Sequence, residues 1–167
     1  MARVEEDLVA VVEAAAPRLL ALSDDEAARP REPGKWSAKE VIGHLVDSAS
    51  HNHQRFVRAQ LADALVFPGY EQDAFVKAQR YAERPWDELV GLWRGYNLHI
   101  AHVISGIPED VRERERARHN LHEIAFRRMP EDRPATLEFL MRDYLVHLEH
   151  HLPQALPGWV SPLAHTE

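Results

Sequence analysis

Eleven histidines stand among the 167 residues of the chain, and they are the side chains best suited to chemistry. Histidine is a common ligand of divalent transition metals, and it titrates near neutral pH, so it also serves as a general acid or base. The chain has no cysteine, which excludes disulfides, thiolate nucleophiles, zinc fingers and cysteine-ligated iron–sulfur clusters. Function is therefore expected first among the histidines.

His147 and His151 are four residues apart in an apolar segment of helical period. On a helix this spacing separates them by about 40° around the axis and about 6 Å along it, so both imidazoles can reach one metal ion. The pair alone is weak evidence, because other closely spaced histidine pairs occur in the chain. The competing interpretation is two ordinary half-buried histidines that are hydrogen-bonded to their neighbours.

His44 lies in the middle of another long segment of helical period, where the inward positions turn polar at His44, Ser48 and His51. In a helical bundle such polar interruptions must face one another, because unpaired polar groups are costly to bury. We therefore expect His44 to meet His147 and His151. Three imidazoles around a divalent ion form a catalytic type of site, which leaves a coordination position open for water or substrate.

Zinc and nickel both suit imidazole ligands, and the sequence does not choose between them. Asp47, one turn after His44, is predicted either to orient a ligand from the second shell or to act as a general base. The alternative is an aspartate that faces solvent or pairs two helices. Glu149 is the nearest acidic candidate for a fourth ligand, but it lies two residues from His147 and is expected to point elsewhere.

Apolar residues recur at helical spacing through most of the chain, and no segment alternates as a strand would. This pattern predicts an all-α, single-domain four-helix bundle with long connections, spanning residues 1–167. The start of the second helix is marked by a capping box at Ser37 and Glu40. The predicted long helices cover about 3–22, 37–63, 86–105 and 135–156, with a short helix at about 73–81 and a loop over 23–35, while residues 109–133 are left unassigned.

Several other residues carry expectations of their own. The mixed-charge run from Arg112 to Arg116 is expected to be a solvated face or a mobile loop rather than a binding patch. Pro153 removes a backbone N–H from the last helix and is expected to bend it beyond His151. His51 is predicted to form a wall of the pocket, and His150 to face solvent.

The charge balance excludes several classes of partner. With 20 Lys and Arg against 27 Asp and Glu, the net charge of −7 argues against nucleic acid or an anionic membrane.

No apolar run approaches the roughly 18 residues of a membrane span, and the acidic N-terminus does not resemble a signal peptide. We expect a cytoplasmic protein with a small-molecule substrate. A serine hydrolase triad is set aside because the nucleophile elbow is missing.

Three segments together are similar to one known family. WSAKEVIGHLVDS at 36–48 with NHQRF at 52–56, and YLVHLEHHLPQ at 144–154, resemble the second and last helices of DinB/YfiT-like proteins, and QRYAERPW at 79–86 resembles a further family segment. The resemblance implies a four-helix bundle with a three-histidine metal site at His44, His147 and His151. It also implies a metal-dependent hydrolase, or a transferase or isomerase that uses a low-molecular-weight thiol, and a homodimer.

Two functions remain open at this point. In the first, the metal lowers the pKa of a bound water for hydrolysis, or activates a small thiol for transfer to an electrophile. Because the chain lacks cysteine, that thiol would have to be a bound cosubstrate. In the second, the bundle is not catalytic and binds a structural metal or a ligand. A closed shell of four protein ligands would favour the second function.

Overall fold

The computed structural model describes residues 3–165, so the predicted domain of residues 1–167 extends beyond the described residues at both ends. Helices account for nearly all of its regular structure, and within the described range only two isolated β-bridges occur. The α-helices are α1 Val4–Leu20, α2 Asp24–Ala28, α3 Ala38–Gln60, α4 Gln72–Ala78, α5 Trp86–Ser105, α6 Glu109–Glu113, α7 Leu121–Ile124 and α8 Leu137–Ala155. Two 3₁₀ turns lie at Tyr81–Glu83 and Pro162–His165.

Four long helices, α1, α3, α5 and α8, form the bundle. α1 packs against α5 and α8, and α3 packs against the same two helices from the opposite side. Consecutive long helices α1 and α3 therefore lie diagonally across the bundle, as do α5 and α8, whereas α3 and α5 are neighbours. The predicted all-α, four-helix architecture is confirmed. Within residues 3–165, no helix combines the length and the apolar character needed to cross a membrane.

The start of α3 follows the predicted capping box. The Ser37 hydroxyl accepts the Glu40 N–H at 3.3 Å, and the Glu40 carboxylate accepts the Ser37 N–H at 2.8 Å. These two bonds satisfy N–H groups that the first turn of a helix leaves free. The end differs from the predicted residue 63, because α3 stops at Gln60. The chain then turns so that Leu65 becomes fully buried and its N–H donates to the Arg118 carbonyl at 3.0 Å.

The start of α8 also differs from the predicted start near residue 135. Thr136 is the N-cap, and its hydroxyl accepts the Phe139 N–H at 3.1 Å. Ala135 stays outside the helix because its backbone pairs in both directions with Arg116, at 3.0 and 2.8 Å. Pro153 lies inside α8, and the helix continues beyond it to Ala155.

Short helices occur in the predicted loop at 23–35 and in the segment at 109–133, for which no helix was predicted. Residues 23–35 include α2, which begins with a second capping box between Ser23 and Glu26. Residues 109–133 include α6 and α7. The prediction missed them because helices of four or five residues are too short to show an apolar period, although the Ser23-x-x-Glu26 pattern is itself a start signal.

The run from Arg112 to Arg116 is solvated only in part, because Glu113, Arg114 and Glu115 are exposed as expected whereas both end residues are buried. Arg112 is buried and makes ion pairs with Glu138 at 2.7 Å and Glu5 at 3.4 Å. Arg116 is also buried, and its guanidinium donates to backbone carbonyls. Glu5 and Glu138 lie far from Arg112 in sequence, as Ala59 does from Arg116, and a local charge pattern cannot reveal such partners.

Gly43 in α3 permits the close approach of Tyr81. A Cβ atom built on Gly43 would lie 2.2 Å from the Tyr81 ring, a separation that no real pair of atoms tolerates. Arg80, the residue before Tyr81, has a left-handed conformation with φ of 56°. The short helix α4 therefore ends at Ala78 rather than at the predicted residue 81. Tyr81 is thereby buried against α3.

Gly43→Ala is expected to destabilise the protein by roughly 1–3 kcal/mol, because the added methyl group overpacks against the Tyr81 ring. Gly95→Ala is the matched control, since Gly95 is an exposed glycine of α5 with nothing within 4 Å of a built Cβ. This control should stabilise by about 0.5–1 kcal/mol through helix propensity. Chemical denaturation of both variants measures the difference, and equal effects would contradict the close contact at Gly43.

Candidate metal centre

Three histidines from two helices of the bundle converge at one point. His44 projects from α3, and His147 and His151 project from successive turns of α8. One ligand nitrogen from each ring lies within 4.8 Å of the other two, and among the described residues this is the only such group of histidines and carboxylates. The structure therefore brings together the three predicted ligands, although their binding of a metal stays a prediction.

The ring nitrogens are oriented as metal ligands require. The Nε2 atoms of His44 and His147 are 3.2 Å apart. Two nitrogens bound tetrahedrally to one zinc ion at 2.0–2.1 Å would be separated by about 3.3 Å, so the observed distance suits a shared ion. The same distance also suits an N–H···N hydrogen bond between the two rings in the metal-free protein, with one of the two Nε2 atoms protonated.

Hydrogen bonds to Nδ1 hold two of the three imidazole rings. The Ser48 hydroxyl lies 3.2 Å from Nδ1 of His147, and the Gln154 side-chain oxygen lies 3.1 Å from Nδ1 of His151. When Nδ1–H donates to such an oxygen, Nε2 is left unprotonated and free to coordinate a metal. Nδ1 of His44 is buried and has no hydrogen-bond partner among the described residues.

Burial keeps these imidazoles in the neutral form that binds metals. Desolvation, with a smaller effect from neighbouring His151, lowers the pKa of His44 from 6.5 to about 4. Desolvation and the neighbouring histidines lower the pKa of His147 to about 3. Burial also lowers the pKa of His151. The cluster is therefore uncharged at neutral pH, and a cation is not repelled from it.

Aromatic rings enclose the cluster on two sides. The Trp36 ring lies 5.1 Å from the His44 ring, and the Phe126 ring lies 5.3 Å from the His147 ring. Phe126 is held in place because the Asp143 carboxylate of α8 accepts its backbone N–H at 2.7 Å. His150 is exposed, as predicted, and packs against Phe126.

A cavity of about 390 Å³ opens beside His44 and His147, and we call it the histidine cavity. Its volume falls in the range of small-molecule sites. Most of its wall comes from α3, α8 and the connections before α4 and after α7. Its lining residues are His44, Ser48, Asn52, Arg55, Gly69, Tyr70, Glu71, Gln72, Glu123, Ile124, Ala125, Phe126, Leu140, Asp143, Tyr144 and His147.

A second cavity of about 570 Å³ opens on the other side of the cluster, beside His151, and we call it the Trp36 cavity. Trp36 and Gln154 line it together with the polar segment before α3. Gln72 borders both cavities. The three histidines therefore lie between two spaces, each of which could hold a small molecule.

Asp47 is buried one turn from His44, but it does not line either cavity. Its Oδ1 atom accepts hydrogen bonds from the Tyr81 hydroxyl at 2.7 Å and from the Gln79 amide. Burial raises its pKa, and these two hydrogen bonds act in the opposite direction. The contacts join α3 to the segment after α4, and a role as base or second-shell ligand stays a prediction.

His51 lies behind the cavity wall rather than in it. Its ring stacks on Tyr70 at 3.9 Å, and Tyr70 lines the histidine cavity. Burial raises the pKa of Tyr70 to about 12, so its hydroxyl stays protonated at neutral pH. His119, from one of the other histidine pairs, donates to the Arg133 carbonyl at 2.6 Å and accepts the Leu121 N–H, which is a structural role.

No fourth protein ligand joins the three histidines within the described part of the chain. The Glu149 carboxylate instead accepts a hydrogen bond from the Ser161 hydroxyl, as its orientation two residues from His147 predicts. Three neutral imidazoles suit a borderline divalent ion such as zinc or nickel. An ion with three protein ligands keeps coordination positions for a substrate, which is the catalytic rather than the structural arrangement.

Sequence analysis gave no role to three residues that lie near the cluster. Asn52 and Arg55 lie on the cavity face of α3, eight and eleven residues after His44, and both are buried. Gln154 appeared only within a family-like segment, without a role. The helical period could have found Asn52 and Arg55, since they continue the polar face that begins at His44 and Ser48.

Comparisons with known proteins identify a family by sequence and a similar fold among solved structures. A sequence model of the DinB superfamily matches residues 7–155. Among solved structures, the fold is similar to YfiT from Bacillus subtilis, described as a probable metal-dependent hydrolase with an unusual four-helix bundle topology. The TM-score is 0.69 at 17% identity, and the match covers 90% of this chain and 82% of YfiT. Comparison with curated proteins gives no match.

The metal-free protein is expected to lose stability as pH falls from about 6.5 toward 4, because the unfolded chain then takes up protons that buried His44 and half-buried His147 refuse. Each such histidine contributes a slope of up to about 1.4 kcal/mol per pH unit. His147→Gln should flatten the pH dependence of the unfolding free energy, whereas His150→Gln should not, since His150 is exposed. Identical pH profiles for the two variants would contradict buried neutral imidazoles.

Proposed function

The chain belongs to the DinB superfamily, and on that premise we propose that it is a metal-dependent hydrolase of a small molecule. The ligands of the metal would be Nε2 atoms of His44, His147 and His151. The observation that carries the proposal is their convergence at the edge of a 390 Å³ cavity, with the His44 and His147 Nε2 atoms 3.2 Å apart. The description of YfiT as a probable metal-dependent hydrolase supports it.

Bound to these histidines, a zinc or nickel ion would supply Lewis-acid chemistry, polarising a carbonyl or phosphoryl oxygen and acidifying a coordinated water. The chain itself would contribute position and a dry surrounding. Ser48 orients the His147 ring, and Gln154 orients the His151 ring. Trp36 and Phe126 cover the cluster. These contacts hold the ligands in one geometry before metal and substrate arrive.

We assign Asp47 a positioning role. Its hydrogen bonds to Gln79 and Tyr81 hold the segment after α4 against α3, one turn from His44. A general base must reach the reacting water within hydrogen-bond distance, directly or through one water. The place of Asp47 outside both cavities favours positioning over that function.

A second candidate function is the transfer of a small thiol to an electrophile. One observation favours it: the histidines border two cavities, which leaves room for two substrates. Because the chain has no cysteine of its own, the thiol would be a bound cosubstrate. The metal would stabilise the thiolate of a bound low-molecular-weight thiol. The thiol would occupy one cavity and the electrophile the other. A bundle that binds metal or ligand without turnover is the remaining alternative.

After removal of metal by a chelator and reconstitution with zinc or nickel, mass spectrometry should find about one ion per chain. His147→Ala should lose this ion, because a site of two imidazoles is much weaker than a site of three. His150→Ala is the matched control, since this exposed neighbour is outside the cluster. No metal in the reconstituted wild type, or equal metal in both variants, would contradict the proposed site.

Zinc-loaded protein is expected to hydrolyse an activated ester such as p-nitrophenyl acetate without added thiol, and His147→Ala should reduce the rate by roughly 100-fold or more. His150→Ala should retain it. The thiol-transfer alternative is tested with cysteine and 1-chloro-2,4-dinitrobenzene, where a carbon–sulfur bond forms and chloride and a proton leave. Metal-dependent turnover only with thiol would favour the transferase, and no metal-dependent turnover in either assay would favour the binding protein.

A further inference from the structure

Arg55 is a buried cation at the end of the histidine cavity, with an exposed fraction of 6%. Its guanidinium donates to two neutral acceptors, the Pro68 carbonyl at 3.1 Å and the Asn52 side-chain oxygen at 3.4 Å. Among residues 3–165, no carboxylate is within ion-pair distance of Arg55. A guanidinium has five N–H donors, so these two bonds do not exhaust them.

Two other buried arginines, Arg112 and Arg116, differ from Arg55 in their partners or in their position. Arg112 is neutralised by Glu5 and Glu138, and Arg116 donates to three backbone carbonyls. Neither lines the histidine cavity. Burial of a charge without an opposite charge is costly, and burial indeed lowers the pKa of Arg55. Only Arg55 combines burial, a missing counter-ion and a place on the cavity wall.

No carboxylate around the cavity pairs directly with Arg55, although the charge of Asp143 raises the pKa of Arg55 from a longer distance. Asp143 is buried nearby, but it accepts the backbone N–H groups of Phe126 and Arg127 and makes its ion pair with the Arg127 side chain at 3.1 Å. Glu71 and Glu123 are exposed. They would disfavour a ligand with several negative charges and leave room for one with a single buried oxyanion.

The cavity face of α3 places Arg55 in line with the metal ligands. His44, Ser48, Asn52 and Arg55 follow one another at spacings of four, four and three residues, so their side chains share one face. Asn52 donates to the Ser48 carbonyl at 2.9 Å and accepts from Arg55, which holds the guanidinium in the row. The Cα atoms of His44 and Arg55 are about 16 Å apart along the axis, and the Arg side chain leans back toward His44.

We propose that Arg55 is the oxyanion subsite of this cavity, and that the ligand carries one carboxylate at the end remote from the three histidines. The remaining N–H groups of the guanidinium can bind a carboxylate through two parallel, charge-assisted hydrogen bonds. That this ligand is the substrate rests on the proposed function, but the subsite itself needs no metal. It would orient the ligand so that its other end faces His44 and His147.

Butyrate and its neutral analogue butyramide test the subsite in metal-free protein with a chelator present. In the wild type, NMR titration should show butyrate binding at least tenfold more tightly than butyramide. Butyrate, but not butyramide, should shift the Nε–H resonance of Arg55. Arg55→Gln should abolish the preference, while Arg58→Gln should keep it, since Arg58 is an exposed arginine of the same helix that does not line the histidine cavity.

Equal affinities of the wild type for butyrate and butyramide, or an unchanged preference in Arg55→Gln, would overturn the proposal. If Arg55 only tethered the connection at Pro68, its replacement would weaken both probes equally and leave their ratio unchanged. The wild-type NMR shift needs no variant, so it decides the matter even where Arg55→Gln does not fold. Because the assay contains no metal, absence of a metal site would leave this result unaffected.

Discussion

The structure depends on the burial of three uncharged imidazoles between α3 and α8. His44 is 1% exposed and the other two are half-buried, so their protonation would place positive charge in a poorly solvated space. At 3.2 Å, the Nε2 atoms of His44 and His147 can share one proton in the metal-free protein or bind one cation together. A divalent cation satisfies such an arrangement, whereas an apolar core gains nothing from it.

The surroundings hold this arrangement through contacts that cross the whole bundle. Ser48 and Gln154 fix two of the rings from within α3 and α8 themselves. The connections between the long helices then complete the walls, since Asp143 anchors the turn at Phe126 and Arg55 holds the Pro68 carbonyl. Loops built on a rigid bundle can shape a cavity without disturbing the ligands.

Local signals predicted the frame well and the connections poorly. The apolar period found the four long helices, and the Ser37 capping box located the start of α3 to the residue. Both ends of α5 were also predicted to the residue, whereas the ends of the other three long helices moved by one to three residues. Long-range contacts decided two of them, since Leu65 turns inward to pair with the strand-like segment at 118–120 and Ala135 pairs with Arg116. Arg116 itself changed from an expected surface charge to a buried donor for the same reason.

The sequence by itself determined the helical bundle and its three candidate ligands, because helical spacing alone places His147 and His151 on one face and His44 on the inner side of its own helix. Only the tertiary structure decided what surrounds them. Asp47 faces Tyr81 rather than a cavity, and Arg55 lies buried without a counter-ion. Such facts depend on which chain segments meet across the bundle, and periodicity within one helix carries no information about its neighbours.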